Sequence, residues 1–148
     1  MKPDPQRMLE QIAATLAADV MPNVQPRYRQ MNVALLAGLA LAAREEFERA
    51  AARRVEENAA LRALFAGAAP VVADASLAQR LREAAAASDA DLRISALDAS
   101  NRALRALLIE LHAHVEGLAT PAAHALDSAI WAELVRSAER RRLSAAPF

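Results

Sequence analysis

The feature that most constrains this chain is an uninterrupted run of eleven small or apolar residues, Val33–Ala43. The run is about half as long as the roughly 20 apolar residues that a membrane-spanning helix needs. The charged stretch "REEFER" follows at once, and a hydrocarbon interior would not accept it. A helix that is apolar on all sides is normally enclosed by other helices. We therefore predict that this run is the central helix of a bundle and that the chain has no membrane segment.

The composition specifies the type of secondary structure. Alanine supplies 40 and leucine 20 of the 148 residues, whereas valine and isoleucine together supply 12. Alanine and leucine are strong helix formers, and β-branched residues are the usual strand formers. We predict an all-α, up-and-down bundle of four to six helices. It should form a single domain over residues 1–148, with residues 144–148 as a mobile tail.

Caps and helix breakers divide the chain into five predicted helices. Ser76 and Gln79 match a capping box for the third helix, and Ser88 and Asp91 repeat that signal for the fourth. Helix two would be about 60 Å long, more than a domain of this size should hold, so we predict a kink or break within 52–60. Gly38, inside the same helix, predicts a close crossing by another helix. The predicted helices cover residues 5–21, 27–67, 77–87, 89–116 and 122–143.

Charge and cysteine content exclude several classes of partner. Eighteen basic and eighteen acidic side chains cancel, so no net field draws the chain to nucleic acid or anionic lipid. The arginine-rich segment "RSAERRRL" lacks interleaved aromatic residues and is typical of a solvated helix end. The chain has no cysteine, which excludes disulfides and thiolate chemistry and fits a reducing compartment. We expect a cytoplasmic protein without nucleic-acid or membrane partners.

Helix four carries the most regular apolar pattern in the chain, with spacings of three and four residues. Asn101 is its only polar member and occupies an a position, where a buried Asn often specifies register or partner number. Two interpretations remain open: the pattern packs inside the bundle with Asn101 bonded to a neighbour, or it forms a dimer interface. Leu107 and Ile109 lie outside the pattern and favour the second. The predicted interface residues are Asn101, Leu104, Leu108, Leu111 and Val115.

The histidines suggest a second kind of site. If helices four and five form an antiparallel hairpin about the turn "GLAT", His114 faces His124 and Glu110 comes near Asp127. Two imidazoles and two carboxylates from facing helices could bind a transition metal. The chain has neither an HExxH motif nor paired ExxH motifs, so solvated histidines near a helix end remain the alternative. No cofactor is predicted.

Catalytic motifs are absent from the sequence, which has no Gly-rich phosphate loop and no G-x-S-x-G. This leaves enzymatic activity undecided and favours a non-enzymatic helical accessory or adaptor protein that self-associates as a homodimer. The alternative is a helical bundle that binds a small ligand or metal through the His114/His124 group.

Residues Met8–Phe47 carry a family resemblance. They comprise a leucine-faced helix ending in Val20-Met21-Pro22, a connector with Arg27, and a helix with Asn32 and Arg44-Glu45. The segment resembles the start of a bacterial family of small helical proteins of unknown function, commonly encoded beside acyl-CoA dehydrogenases and phosphotransferase-like kinases. The remaining residues depart from the C-terminal half of that family. The resemblance implies a helical accessory protein and brings no catalytic residues.

Overall fold

A computed structural model describes residues 4–144, which form five α-helices and contain no strand. The all-α helical bundle expected from the composition is therefore confirmed. No helix within these residues combines the length and the apolarity needed to cross a bilayer. The helices are α1 (Pro5–Thr15), α2 (Arg27–Ala68), α3 (Ala75–Ala86), α4 (Ile94–Glu116) and α5 (Pro121–Arg141).

The starts of α3 and α4 differ from the predicted ones. Asp74, not Ser76, caps α3, because its Oδ1 accepts the backbone N–H of Leu77 at 2.9 Å. Helix α4 begins at Ile94, since the Asp91 side chain accepts the backbone N–H of Arg93 at 2.9 Å and holds the preceding residues in a turn. In α3 an aspartate carboxylate, the stronger acceptor, thus replaces the serine of the predicted cap, whereas Arg93 at the N-cap of α4 makes no side-chain capping hydrogen bond.

Helix α2 is continuous over 42 residues, so the predicted break within 52–60 is wrong. The break was expected because charged residues interrupt the apolar stripe there. Two of those residues, Glu57 and Asn58, instead form hydrogen bonds with Arg141 and Asp89 within the continuous helix's surroundings. The segment also contains no proline or glycine that would open the helix.

The contacts of the chain group its residues into two compact units, whereas the sequence predicts a single domain over residues 1–148. Unit 1 comprises residues 1–50 and 142–148, and unit 2 comprises residues 51–141. In unit 1, Ser144 donates from its backbone N–H and its Oγ to the Glu45 carboxylate at 2.8 to 3.1 Å. Ser144, the first residue of the predicted mobile tail, thus contacts α2, and the other residues of that tail, 145–148, lie outside the described part.

Unit 2 has a conventional leucine-rich core. Helices α4 and α5 pack as a hairpin. Their buried side chains form one cluster with those of α3 and of the last turns of α2. Burying a large aliphatic side chain contributes roughly 1.5–3 kcal/mol, so this core accounts for the cohesion of the unit. Its largest buried apolar side chains are Leu61, Phe65, Leu77, Leu81, Leu104, Leu108, Leu111, Leu126 and Ile130.

Unit 1 has no such core. The residues buried in its described part are all alanines: Ala13, Ala37 and Ala50. Leu35, Leu36 and Leu39, in the run that was expected to be enclosed, are 43%, 53% and 50% exposed. Polar contacts join α1 to α2: Gln6 is hydrogen-bonded to Glu48, and Nε of Arg44 lies 3.9 Å from Glu10.

Candidate functional site

The four predicted metal ligands do not form a metal site. Glu110 pairs with Arg80 of α3 at 2.6 Å, and Asp127 contacts Nε2 of His112 at 2.9 Å. Between residues 4 and 144, no group of three histidine, aspartate or glutamate side chains could hold a metal ion. The structure therefore gives the predicted metal site no support, because His112 and not Glu110 lies against Asp127, while Glu110 is paired with Arg80.

The two histidines of that predicted site have different surroundings. His124 lines a small cleft at the turn end of the α4–α5 hairpin. His114 is not part of the cleft lining, and its Nε2 is buried without a hydrogen-bond partner among the described residues. A shared ligand held by this histidine pair therefore has no support in the geometry of the hairpin.

An imidazole–carboxylate contact lies next to this cleft, where His112 meets the lining residues Asp127 and Trp131. The ring of His112 packs edge-on against Trp131 with 5.4 Å between centroids, and its Nε2 lies between Asp127 and Glu116. A base oriented by a carboxylate is one part of a nucleophilic site, which also needs a serine, threonine or cysteine within reach. The cleft lining supplies none of these; it consists of Val115, Glu116, Leu118, His124, Asp127 and Trp131.

The predicted interface residues of α4 lie inside unit 2. Leu104, Leu108, Leu111 and Val115 belong to its hydrophobic core, and Asn101 is 5% exposed. A surface buried within one chain cannot also meet a second copy, so the intersubunit assignment is corrected to the internal alternative. The apolar pattern on α4 identified the buried face, and its partner is the rest of the same chain.

Glu57 of α2 lies at the centre of a buried polar network in unit 2. Arg141, the last residue of α5, forms a two-pronged ion pair with it, with Nε–Oε1 and Nη2–Oε2 distances of 2.7 and 2.6 Å. Ser137 donates to Oε1 at 3.2 Å, and Arg105 of α4 lies 3.8 Å from Oε2. One carboxylate that is 1% exposed thus joins α2, α4 and α5.

Asn101 extends this network across α4. Its Nδ2 donates to Glu57 at 3.3 Å and to Oδ1 of Asn58 at 2.9 Å, while its Oδ1 accepts from Arg105 and Arg141 at 3.1 and 3.2 Å. Both ends of the amide are therefore used. The expectation that a buried Asn101 needs polar partners is met by side chains of this chain.

Burial and pairing act in opposite directions on the Glu57 carboxylate. Burial alone would raise the pKa of Glu57, but hydrogen bonds and charge from Arg141, with smaller contributions from Arg105 and Ser137, bring it below its ordinary value. Glu57 is therefore ionised at neutral pH. The charged side chains of the network are paired with one another, as expected of a structural element rather than of a reactive site.

Asp89, in the connection between α3 and α4, anchors that connection to α2. Arg62 binds both of its oxygens, at 2.8 and 2.9 Å, and Asn58 donates to the same carboxylate at 3.1 and 3.2 Å. The Arg62 hydrogen bonds are the main reason that the pKa of Asp89 falls to about 2 from the ordinary 3.8. Asp89 was not singled out in the sequence, because an aspartate in a polar loop carries no signal of its partner.

This depressed pKa predicts an acid-labile contribution to stability. Because the folded pKa lies below the unfolded one, the Asp89 carboxylate stabilises the fold above about pH 4, and this is lost as the pH falls from 3.8 towards 2. The shift corresponds to about 2 kcal/mol, and the side chain is only 8% exposed. Urea titrations should show Asp89→Asn less stable than wild type at neutral pH, with the gap closing in this window. A gap of constant size would contradict the assignment.

The remaining candidate is an apolar surface on unit 1. Tyr28, Met31, Leu35 and Leu39 follow each other at helical spacings of three and four residues and so share one side of α2, here called the outer face of α2. Tyr28 and Met31 are 66% and 73% exposed. This face lies opposite the buried Ala37. Contiguous exposed apolar surface of this kind marks interaction sites in soluble proteins.

Comparisons with known proteins add no relative from which a role could be transferred. The resemblance of Met8–Phe47 to a bacterial helical family therefore remains a prediction. No protein-family model, curated protein or solved structure matches the chain.

Proposed function

We propose that this protein is a non-enzymatic helical accessory or adaptor protein of the cytoplasm, and that it self-associates through the outer face of α2. The observation that carries this proposal is the contrast within unit 1. Its buried residues are alanines, whereas many of its large apolar side chains, such as Tyr28, Met31 and Leu36, are more than half exposed. A helical pair that buries so little apolar area gains little from its own packing and needs a further apolar surface to cover it.

The size of the surface suits a second copy of the chain. Taking roughly 200 Å² for a large side chain, the outer face with its neighbours Leu36 and Phe47 exposes on the order of 700 Å². A stable interface buries about 800 Å² on each partner. The chain has no net charge, so two copies do not repel each other overall.

The chemistry of unit 2 supports a non-enzymatic role. Its most buried ionisable side chain, Glu57, is bound by two arginines, a serine and an amide of the same unit. The hairpin cleft pairs His112 with Asp127 and Glu116 but has no nucleophile in its lining. These groups stabilise the fold and leave no paired acid and nucleophile for a substrate.

Light scattering after gel filtration tests the proposal. We expect a wild-type homodimer at micromolar concentration and a monomer for Leu35→Glu/Leu39→Glu, because two carboxylates would be buried at the centre of the interface. Val135→Glu is the matched control: this residue is 62% exposed on α5 of unit 2, and its replacement should leave the dimer intact. Circular dichroism of each variant confirms that the helices remain.

A wild-type protein that stays monomeric at high micromolar concentration would refute self-association. A dimer that is broken equally by Val135→Glu and by the double variant would place the contact elsewhere.

A further inference from the structure

We infer that the cleft at the turn end of the α4–α5 hairpin, here called the hairpin cleft, binds a small primary alkylammonium ion. This inference concerns unit 2 alone and does not depend on the proposed self-association. Three features of the cleft carry it: two carboxylates that share one imidazole, a half-exposed indole ring beside them, and an apolar part of the lining.

The hairpin cleft carries negative charge. Asp127 and Glu116 both line it, and both contact one imidazole, since Nε2 of His112 lies 2.9 Å from Asp127 and 3.5 Å from Glu116. Residues 106–135 contain no arginine or lysine. An imidazole is ordinarily neutral above about pH 7, so the two carboxylates then outweigh the positive charge that this part of the hairpin supplies. The charge of the cleft therefore favours a cationic ligand.

These two carboxylates keep acceptor positions that other carboxylates of unit 2 have lost. Glu57, Asp89 and Glu110 are each bound by an arginine at 2.6 to 2.8 Å. Among the described residues, the side chains of Asp127 and Glu116 meet only the one imidazole. A neutral imidazole donates at most one hydrogen bond from Nε2, whereas each carboxylate has about four acceptor positions. An ammonium group has three N–H donors and so can bind both carboxylates at once.

Trp131 supplies the aromatic side of the cleft. It is 54% exposed, although a tryptophan gains more than most residues from burial. Its ring lies 5.4 Å from that of His112, with the ring planes at 82°, so the imidazole that contacts the carboxylates also positions the indole. A cation within about 6 Å of an indole centroid is attracted to the ring. The indole and the carboxylates therefore favour the same kind of ligand.

The size and the apolar part of the lining limit the rest of the ligand. The cleft has a volume of about 340 Å³, near the lower end of the roughly 300–1,000 Å³ of ligand clefts. Val115 and Leu118 belong to its lining and provide apolar surface for a hydrocarbon stem. A primary amine with a stem of a few carbon atoms thus matches both the charge and the size of the cleft.

The single tryptophan of the chain makes binding measurable, because its fluorescence reports on this cleft alone. Butylammonium chloride in phosphate buffer is the probe, and sodium chloride at the same concentration is the reference. The neutral analogue of similar length is 1-butanol. We expect a saturable change in fluorescence with butylammonium and about tenfold weaker binding of 1-butanol, because hydrogen bonds to charged groups are the stronger ones.

Substitutions of similar shape test the two carboxylates. Asp127→Asn and Glu116→Gln should each weaken butylammonium binding about threefold, and the double variant about tenfold, as expected for partly exposed ion pairs. Glu110→Gln is the matched control, because this carboxylate also lies on α4 of unit 2 but is paired with Arg80 and does not line the cleft. It should leave butylammonium binding unchanged.

A lysine derivative identifies the source of the ammonium group. Nα-acetyl-lysine amide carries the same butylammonium group on a peptide unit. Tighter binding of butylammonium would support a free amine as the ligand, and tighter binding of the derivative would overturn the free amine in favour of a lysine side chain of a protein.

Three results would overturn the ammonium site itself. They are a fluorescence change that does not saturate, equal binding of butylammonium and 1-butanol, and binding that Asp127→Asn and Glu116→Gln leave unchanged. Each of these results leaves the proposed self-association standing, and a monomeric wild-type protein leaves the ammonium site standing, so the two proposals fail separately.

Discussion

Glu57→Ala should destabilise unit 2 by about 3–5 kcal/mol, the usual effect of removing one partner of a buried ion pair. The substitution leaves the guanidinium of Arg141 without its two carboxylate contacts and deprives Arg105 of its nearby anion. Urea unfolding followed by circular dichroism measures the change. A loss of this size is a large fraction of the total stability of a small domain, so the variant should be partly unfolded at ordinary temperature.

Two further variants show whether the loss comes from the unpaired charge. Glu110→Ala is the control, because Glu110 forms an arginine–carboxylate contact in the same unit but is half exposed, and it should lose no more than about 1 kcal/mol. Glu57→Met/Arg141→Met removes both charges and should recover much of the stability lost by Glu57→Ala. Equal losses for Glu57→Ala and Glu110→Ala would contradict the central position of Glu57.

Asn101→Leu should lower the stability by about 3 kcal/mol and leave the association state unchanged. The substitution removes an amide whose nitrogen donates to Glu57 and Asn58. It also removes the amide oxygen that accepts from Arg105 and Arg141. Each buried polar group left unpaired costs about 1–3 kcal/mol. Arg102→Leu, an exposed neighbour on the same helix, should change the stability by less than about 0.5 kcal/mol. Urea unfolding and light scattering give both quantities.

The opposite result has a clear meaning. If Asn101→Leu raised the stability while changing the number of subunits, Asn101 would be acting as a polar a position between chains. The apolar pattern on α4 would then be a subunit interface, and its burial within unit 2 would have to be exchanged for contacts with the partner.

Local sequence was sufficient for the number of α-helices and for the buried face of α4. Asp4-Pro5 begins α1 and Thr120-Pro121 begins α5, because a cap and a first-turn proline act within a few residues of each other. The spacing of Leu104, Leu108 and Leu111 identified a buried side. It could not identify what covers that side, since periodicity records which residues avoid water and not which surface they meet.

The site residues show the same limit at longer range. The acceptors and donors of Asn101 are Glu57 and Asn58, on a helix more than forty residues earlier in the chain, and Arg141, forty residues later. The hairpin brings His112 to Asp127 in place of the predicted Glu110, which pairs with Arg80 of α3. A polar contact depends on ångström-level placement that residue spacing alone does not provide.

The two halves of α2 show most directly what the sequence determined and what only the tertiary structure decided. The sequence determined that both halves are helical. It predicted an enclosed run for Val33–Ala43 and a break within 52–60. In the structure, leucines of the run are exposed, and Glu57 and Asn58 are buried within a continuous helix. Apolarity sets how much a residue gains from burial, but the gain requires a covering surface, which unit 1 does not supply. A carboxylate can be buried wherever its counter-charges are brought to it, and here α4 and α5 bring them.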